Sequence, residues 1–163
     1  MLKINILSLH GIKEKRAEKL YNAIRHAEEI INNSSHFQGW FLKQKFTQLG
    51  AMKGKTNEEM LELIRREVRV HYSVVYRSWW KRMFSSVVGY TKKITKTPGE
   101  DVFTYADSFD AMSLFGLVDH ITHEVVCHCN GFTHEYNWSK ERDFSVPYLV
   151  GKTVEAMALV KKA

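Results

Sequence analysis

One stretch of the chain decides the fold: residues 114–134 read LFGLVDHITHEVVCHCNGFTH. Apolar side chains recur there at helical spacing and form one face: Leu114, Leu117, Val118, Ile121 and Val125. The stretch therefore predicts a long amphipathic helix with one buried side. We expect Ser108 or Asp110 as its N-cap, and Asn130-Gly131 is a typical helix end.

The same stretch holds four of the chain's eight histidines: His120, His123, His128 and His134. Zinc binds neutral imidazoles, and a helix presents two of them from one side when they lie four residues apart. A glutamate beside the first histidine can act as a base on a water bound to the metal. His128, Gly131 and His134 have the spacing of the second half of the HExxHxxGxxH pattern.

The first half of that pattern contains one extra residue. Three residues, not two, separate His123-Glu124 from His128. In a regular helix, residues five apart are rotated by roughly 140° around the axis, so His123 and His128 would not meet. A π-type turn would bring the pair together. Alternatively, Glu124 and His128 form the i, i+4 ligand pair, or His123 does so with Cys127, with His120 one turn earlier.

Length and composition indicate one globular domain over residues 1–163. The chain is 44% hydrophobic and 26% charged, and it contains only two prolines. No apolar run approaches the roughly 18 residues that a membrane span needs, and residues 1–16 lack the pattern of a signal peptide. We therefore expect a cytoplasmic protein without a membrane partner. Cys127 and Cys129 are too close for an unstrained disulfide and are expected to be reduced.

The net charge of +6 does not by itself indicate a nucleic-acid partner. The basic residues are scattered, and most of them stand beside carboxylates or in predicted turns. This distribution is typical of a solvated surface. No nucleic-acid-binding motif occurs in the sequence.

The rest of the chain predicts an α+β fold. Period-two or β-branched patterns predict strands at Lys3–Leu7, Phe46–Leu49, Val68–Tyr76, Ser85–Thr91 and, at a sheet edge, Val102–Tyr105. Helical spacing and capping signals predict helices over Glu14–Ile31, around Phe37–Leu42, after the capping box Thr56–Glu59, and over Tyr148–Lys161. We expect a small mixed or antiparallel sheet packed on the histidine-rich helix, with helices at both ends.

The chain resembles a group of small zincin-like proteins of bacteria and phages. They carry a Val-Gly-Tyr-Thr strand end, a short strand, an HExxHxxGFxH helix and a Ser-Val-Pro-Tyr segment. The matching positions are Val88–Thr91, Val102–Tyr105, His123–His134 with Gly131-Phe132, and Ser145–Tyr148. Phe37–Thr47 and Thr56–Glu59 also match, so the resemblance covers about residues 36–160 and is weakest over 1–35.

The resemblance implies a zinc-dependent metallopeptidase that hydrolyses peptide or protein substrates with a metal-activated water. It implies Zn²⁺ on His123, His128 and His134, with Glu124 as base and Tyr148 as a donor to the developing oxyanion. This assignment predicts a π-type turn between His123 and His128. Two other hypotheses remain: a non-catalytic metal-binding protein of the same fold, and a basic binding module whose histidines are structural.

Overall fold

The computed structural model describes residues 1–78, 87–92, 98–134 and 140–162. Its four strands are β1 Lys3–His10, β2 Glu67–Val75, β3 Gly89–Lys92 and β4 Glu100–Tyr105. They form one sheet in the order β1-β2-β4-β3. β2 pairs in parallel with both β1 and β4, whereas β3 is antiparallel to β4. The prediction of an α+β fold with a small mixed or antiparallel sheet is therefore confirmed, and the sheet is mixed.

Two strand predictions are wrong. Over Phe46–Leu49, only Thr47 bridges to another segment, at Ser145, because its N–H donates to the carbonyl of Phe144 at 3.0 Å. β4 lies inside the sheet and not at its edge, since it pairs with β2 on one side and β3 on the other. Among the described strands, β1 and β3 occupy the two edges. Residues 85 and 86 of the predicted Ser85–Thr91 strand lie outside the described residues.

The helices of the described residues are α1 Glu14–Asn33, α2 Ser35–Leu42, α3 Asn57–Ile64, α4 Ala106–Ala111, α5 Leu114–Ile121, α6 Lys140–Asp143 and α7 Val146–Lys162. The predicted capping box of α3 is present: Thr56 and Glu59 each bond the other's backbone N–H. α7 begins two residues before Tyr148, and Pro147 lies in its first turn, where proline is tolerated. No helix of these ranges has the length and apolar content needed to cross a membrane.

The N-cap prediction for the histidine-rich helix is wrong. Ser108 and Asp110 belong to the separate short helix α4. Met112 is extended, with φ −63° and ψ 140°, and this interrupts the helical path. Ser113 then caps α5 by accepting a hydrogen bond from the N–H of Gly116 at 3.0 Å.

α5 lies at the centre of the core, in contact with α1 and α7. Its predicted apolar face is confirmed at Leu117, Val118 and Ile121, which have no exposed surface. Each such side chain contributes roughly 1.5–3 kcal/mol on burial. α7 approaches α5 closely at Gly151, where an added Cβ would lie 2.3 Å from Oδ1 of Asp119. Glycine at this position therefore permits the packing that places the start of α7 beside the histidines.

Candidate metal centre

The helix widens directly after α5. Residues Thr122–Cys127 form a π-helical turn, and a 3-10 turn follows at His128–Asn130. The N–H of His128 donates to the carbonyl of His123, five residues earlier. At about 4.4 residues per turn, residues five apart are separated by about 50° rather than about 140°. The predicted π-type turn is therefore confirmed, and it accommodates the extra residue.

Three imidazoles converge beside this turn. The ring centroids of His123, His128 and His134 lie 4.9 to 5.1 Å from one another. One ring nitrogen from each lies within 4.8 Å of the other two. Ligand nitrogens on a tetrahedral zinc are separated by about 3.4 Å, so small side-chain rotations bring the three into position for one ion. The donor set and its geometry thus fit a metal of this kind.

The turn after the helix fixes the tautomer of His128. Gly131 adopts a left-handed φ of 84°, which glycine accepts without steric cost, and the chain turns back toward the cluster. Nδ1 of His128 lies 2.7 Å from the carbonyl oxygen of Phe132. Because a carbonyl can only accept, Nδ1 carries the proton and Nε2 keeps its lone pair. A backbone partner of this type commonly orients a metal-binding imidazole.

Burial keeps His123 and His128 in the state that binds metal. It lowers the pKa of His123 well below 6.5, and the neighbouring His128 and His134 lower that pKa further. Burial also lowers the pKa of His128. Metal binding requires deprotonated ligands, so His123 and His128 are ready for an ion near neutral pH.

Glu124 lies on the π turn beside His123, with 9% of its surface exposed. Its Oε2 accepts a hydrogen bond of 2.9 Å from the hydroxyl of Thr91, on β3. Burial raises the pKa of the Glu124 carboxyl to about 6, although the Thr91 hydrogen bond lowers it. A carboxyl group with a pKa near the working pH is suited to accept a proton and release it again.

The other two ligand sets are not favoured by this geometry. Cys127 is fully buried in the core, and His120 bonds through Nε2 to the hydroxyl of Thr104 at 2.8 Å. Glu124 is held by Thr91, and the cluster of ligand atoms found in the described residues consists of the three histidines alone.

Tyr148 packs against the cluster from α7. Its ring centroid lies 4.7 Å from that of His123 and 4.8 Å from that of His134, with the rings steeply inclined. The guanidinium carbon of Arg142 lies 4.7 Å from the Tyr148 ring centroid. Arg142 is only 4% exposed, and its guanidinium pairs with the carboxylate of Asp143 at 3.3 Å. This cation–π contact helps hold the tyrosine ring in place.

Sequence reasoning did not single out Thr91, and it did not predict that Arg142 is buried. The available signal for Thr91 was that it belongs to the Val88–Thr91 segment. It lies two residues from Gly89, and residues two apart in a strand lie on the same face. For Arg142 the local sequence offers no such signal, because a Glu141-Arg142-Asp143 run is typical of a solvated turn.

All five predicted site residues border one cleft of about 970 Å³. α5 and the π turn line it along its length, with β3 and the start of α7 as further walls. The three histidines, Glu124 and Tyr148 thus share one space with Thr91 and Arg142. Comparison of the chain with protein-family models, with curated proteins and with solved structures finds no match, and the resemblance to zincin-like proteins stays a prediction.

Proposed function

We propose that this protein is a zinc-dependent peptidase in which His123, His128 and His134 hold the ion. The observation that carries the proposal is the convergence of three half-buried imidazoles at the wall of one cleft. Three protein ligands leave a fourth tetrahedral position for water or substrate, as in catalytic zinc sites. Three imidazoles suit zinc, although imidazole also binds copper, iron and nickel, so the ion has to be identified by measurement.

The residues around the cluster have the chemistry for hydrolysis of a peptide bond. When bound, zinc supplies a Lewis acid for the carbonyl oxygen and lowers the pKa of a water to about 7. Glu124 takes the proton that the water loses as its oxygen adds to the carbonyl carbon. It then passes this proton to the amine nitrogen as the carbon–nitrogen bond breaks. The Tyr148 hydroxyl donates a hydrogen bond to the oxyanion that forms.

The edge strand supports a peptide as the substrate. The N–H of Tyr105 donates to the carbonyl of Val88 at 3.0 Å. This bond fixes which residues along β3 are hydrogen-bonded to β4 and which are not. In such a ladder the backbone groups of Gly89 and Thr91 point away from β4. Among the described strands, β3 has no partner on that side, and it borders the cleft. An extended peptide can add to this edge by backbone hydrogen bonds.

A non-catalytic metal-binding protein of the same fold is the second candidate. The low exposure of Glu124 favours it, because a carboxylate bonded to Thr91 can be held away from a water at the ion. The third hypothesis, a basic binding module, has less support because it assigns no role to three neighbouring imidazoles at the wall of one cleft.

Metal content and hydrolysis together test the proposal. Protein purified without added metal should contain close to one zinc per chain. It should also hydrolyse members of a generic peptide library, and a chelator should abolish that activity. Glu124→Gln should retain the zinc and lose the hydrolysis. Less than about a tenth of an equivalent after zinc is supplied would exclude the metal site. One full equivalent without hydrolysis would favour the non-catalytic protein.

A further inference from the structure

We propose that Thr91 is a positioning residue for Glu124, a role that rests on the proposed function. The Thr91 hydroxyl oxygen lies 2.9 Å from Oε2 of Glu124 and 3.0 Å from the backbone carbonyl oxygen of the same residue. One side chain of the edge strand therefore reaches both the backbone and the carboxylate of the base. Two contacts to one residue restrict its backbone position and its side-chain rotamer together.

The π turn explains why a hydrogen-bond donor is useful beside the backbone carbonyl of Glu124. The backbone bonds in this turn join residues five apart, as between His128 and His123, and depart from the regular helical pattern. Side chains add donors to its carbonyls: the amide of Asn130 donates to Val126 at 2.7 Å, and the one hydrogen of the Thr91 hydroxyl is shared between the carbonyl and the carboxylate of Glu124. Thr91 thus helps hold the irregular turn in which Glu124 stands.

The carboxylate of Glu124 depends on the same hydroxyl. A buried carboxylate needs hydrogen-bond donors to offset its loss of hydration. Within the described part of the chain, Thr91 provides the one hydrogen bond to the Glu124 carboxylate. With Oε2 bonded to Thr91, Oε1 is the oxygen that accepts the proton from the attacking water. Outer residues that orient a site in this way typically contribute about 10- to 100-fold to activity.

Substitutions at position 91 test the role directly. Thr91→Val keeps the size of the side chain and removes the donor, whereas Thr91→Ser keeps the donor. We expect Thr91→Val to bind wild-type amounts of zinc, to lower kcat by about tenfold or more, and to leave KM within about twofold. Thr91→Ser should recover kcat to within about threefold of wild type. Thr153→Val on α7, outside the cleft lining, is the matched control and should behave as wild type.

A spectroscopic measurement makes the test independent of hydrolysis. In protein labelled with ¹³C at glutamate carboxyls, the Glu124 resonance is identified by its loss in Glu124→Gln. At fixed pH and without metal, this resonance should move in Thr91→Val and stay in place in Thr91→Ser. If Thr91→Val does not fold, Thr91→Ala provides the same measurement.

The outcomes separate the two proposals. An unchanged Glu124 resonance in folded Thr91→Val overturns the positioning role, and so does an unchanged kcat. A wild-type protein that binds zinc and hydrolyses nothing overturns the peptidase. Thr91 is then a structural contact of Glu124 if the resonance moves, and it has no role as a positioning residue.

Discussion

The imidazole rings of His123 and His128 lie with their centroids 4.9 Å apart, although five positions separate the residues along a helix. A regular α-helix would place them on different sides. The N–H of His128 bonds instead to the carbonyl of His123, and the wider turn brings the rings together. The extra residue therefore changes the helix and leaves the histidine cluster intact.

The cluster predicts which substitutions remove zinc. His128→Ala and His134→Ala should each abolish most zinc binding, measured by elemental analysis and by calorimetric titration. His71→Ala is the matched control, since His71 is also half-buried but bonds Ser8 at 2.8 Å and Pro98 at 3.2 Å. Equal losses from all three substitutions would indicate unfolding or a different site.

Zinc should also stabilise the fold, because the three ligands come together only in the native chain. At free zinc of about 100 times Kd, the stabilisation should be about 2.7 kcal/mol. For a domain of this size, this corresponds to a rise in Tm of about 5–10 °C. Calorimetric scans with and without zinc measure the rise. A comparable rise in His134→Ala would show that zinc acts elsewhere.

Tyr148→Phe separates the hydroxyl from the ring. Phenylalanine keeps the contacts with His123, His134 and Arg142 and removes only the donor. We expect full zinc content and a fall in kcat of about 100-fold, as for loss of one oxyanion donor. Steady-state kinetics on a peptide substrate measures the fall. A variant with wild-type kcat would leave Tyr148 with a packing role only.

Deletion of one residue tests the π turn. Removing Val125 or Val126 leaves His123 and the former His128 four residues apart, the spacing at which a regular α-helix holds both on one side. Zinc affinity should be preserved or raised. Both valines are fully buried, so the deletion should cost some stability through lost packing. Calorimetric titration of variants that retain the wild-type circular dichroism measures the affinity. Loss of binding in such a folded variant would mean that His123 is not a ligand.

His120 predicts a pH dependence of stability. It is 8% exposed, and burial lowers its pKa from 6.5 to about 4. The unfolded chain binds this proton at higher pH than the folded chain does. The contribution of His120 to the free energy of unfolding is therefore fully present above about pH 6.5 and is lost as the pH falls toward 4. Its size is on the order of 3 kcal/mol.

Denaturant titrations of metal-free protein across this range compare wild type with His120→Gln, whose amide can still bond Thr104 but does not titrate. The variant should show a flatter dependence on pH. His10→Gln, at an exposed position, should keep the wild-type slope. Parallel curves for His120→Gln and wild type would contradict the prediction.

The sequence by itself determined the features that depend on local spacing. The apolar period of residues 114–125 predicted α5, and the capping box predicted the start of α3. The five-residue spacing predicted the π turn on the assumption that His123 and His128 bind one ion, one of the three ligand sets that the sequence left open. Asn130-Gly131 predicted the end of the histidine-rich helix. Each of these follows from backbone geometry over a few residues.

The tertiary structure alone decided the contacts between distant segments. Thr91 meets Glu124 across 33 positions, and the rings of His123 and Tyr148 meet across 25. The interior place of β4 also depends on which strands pair with it. Periodicity shows which side of an element is buried, but it does not show which partner covers that side. That choice arises from the packing of whole elements, as where Gly151 lets α7 approach α5 closely enough to bring Tyr148 to the histidines.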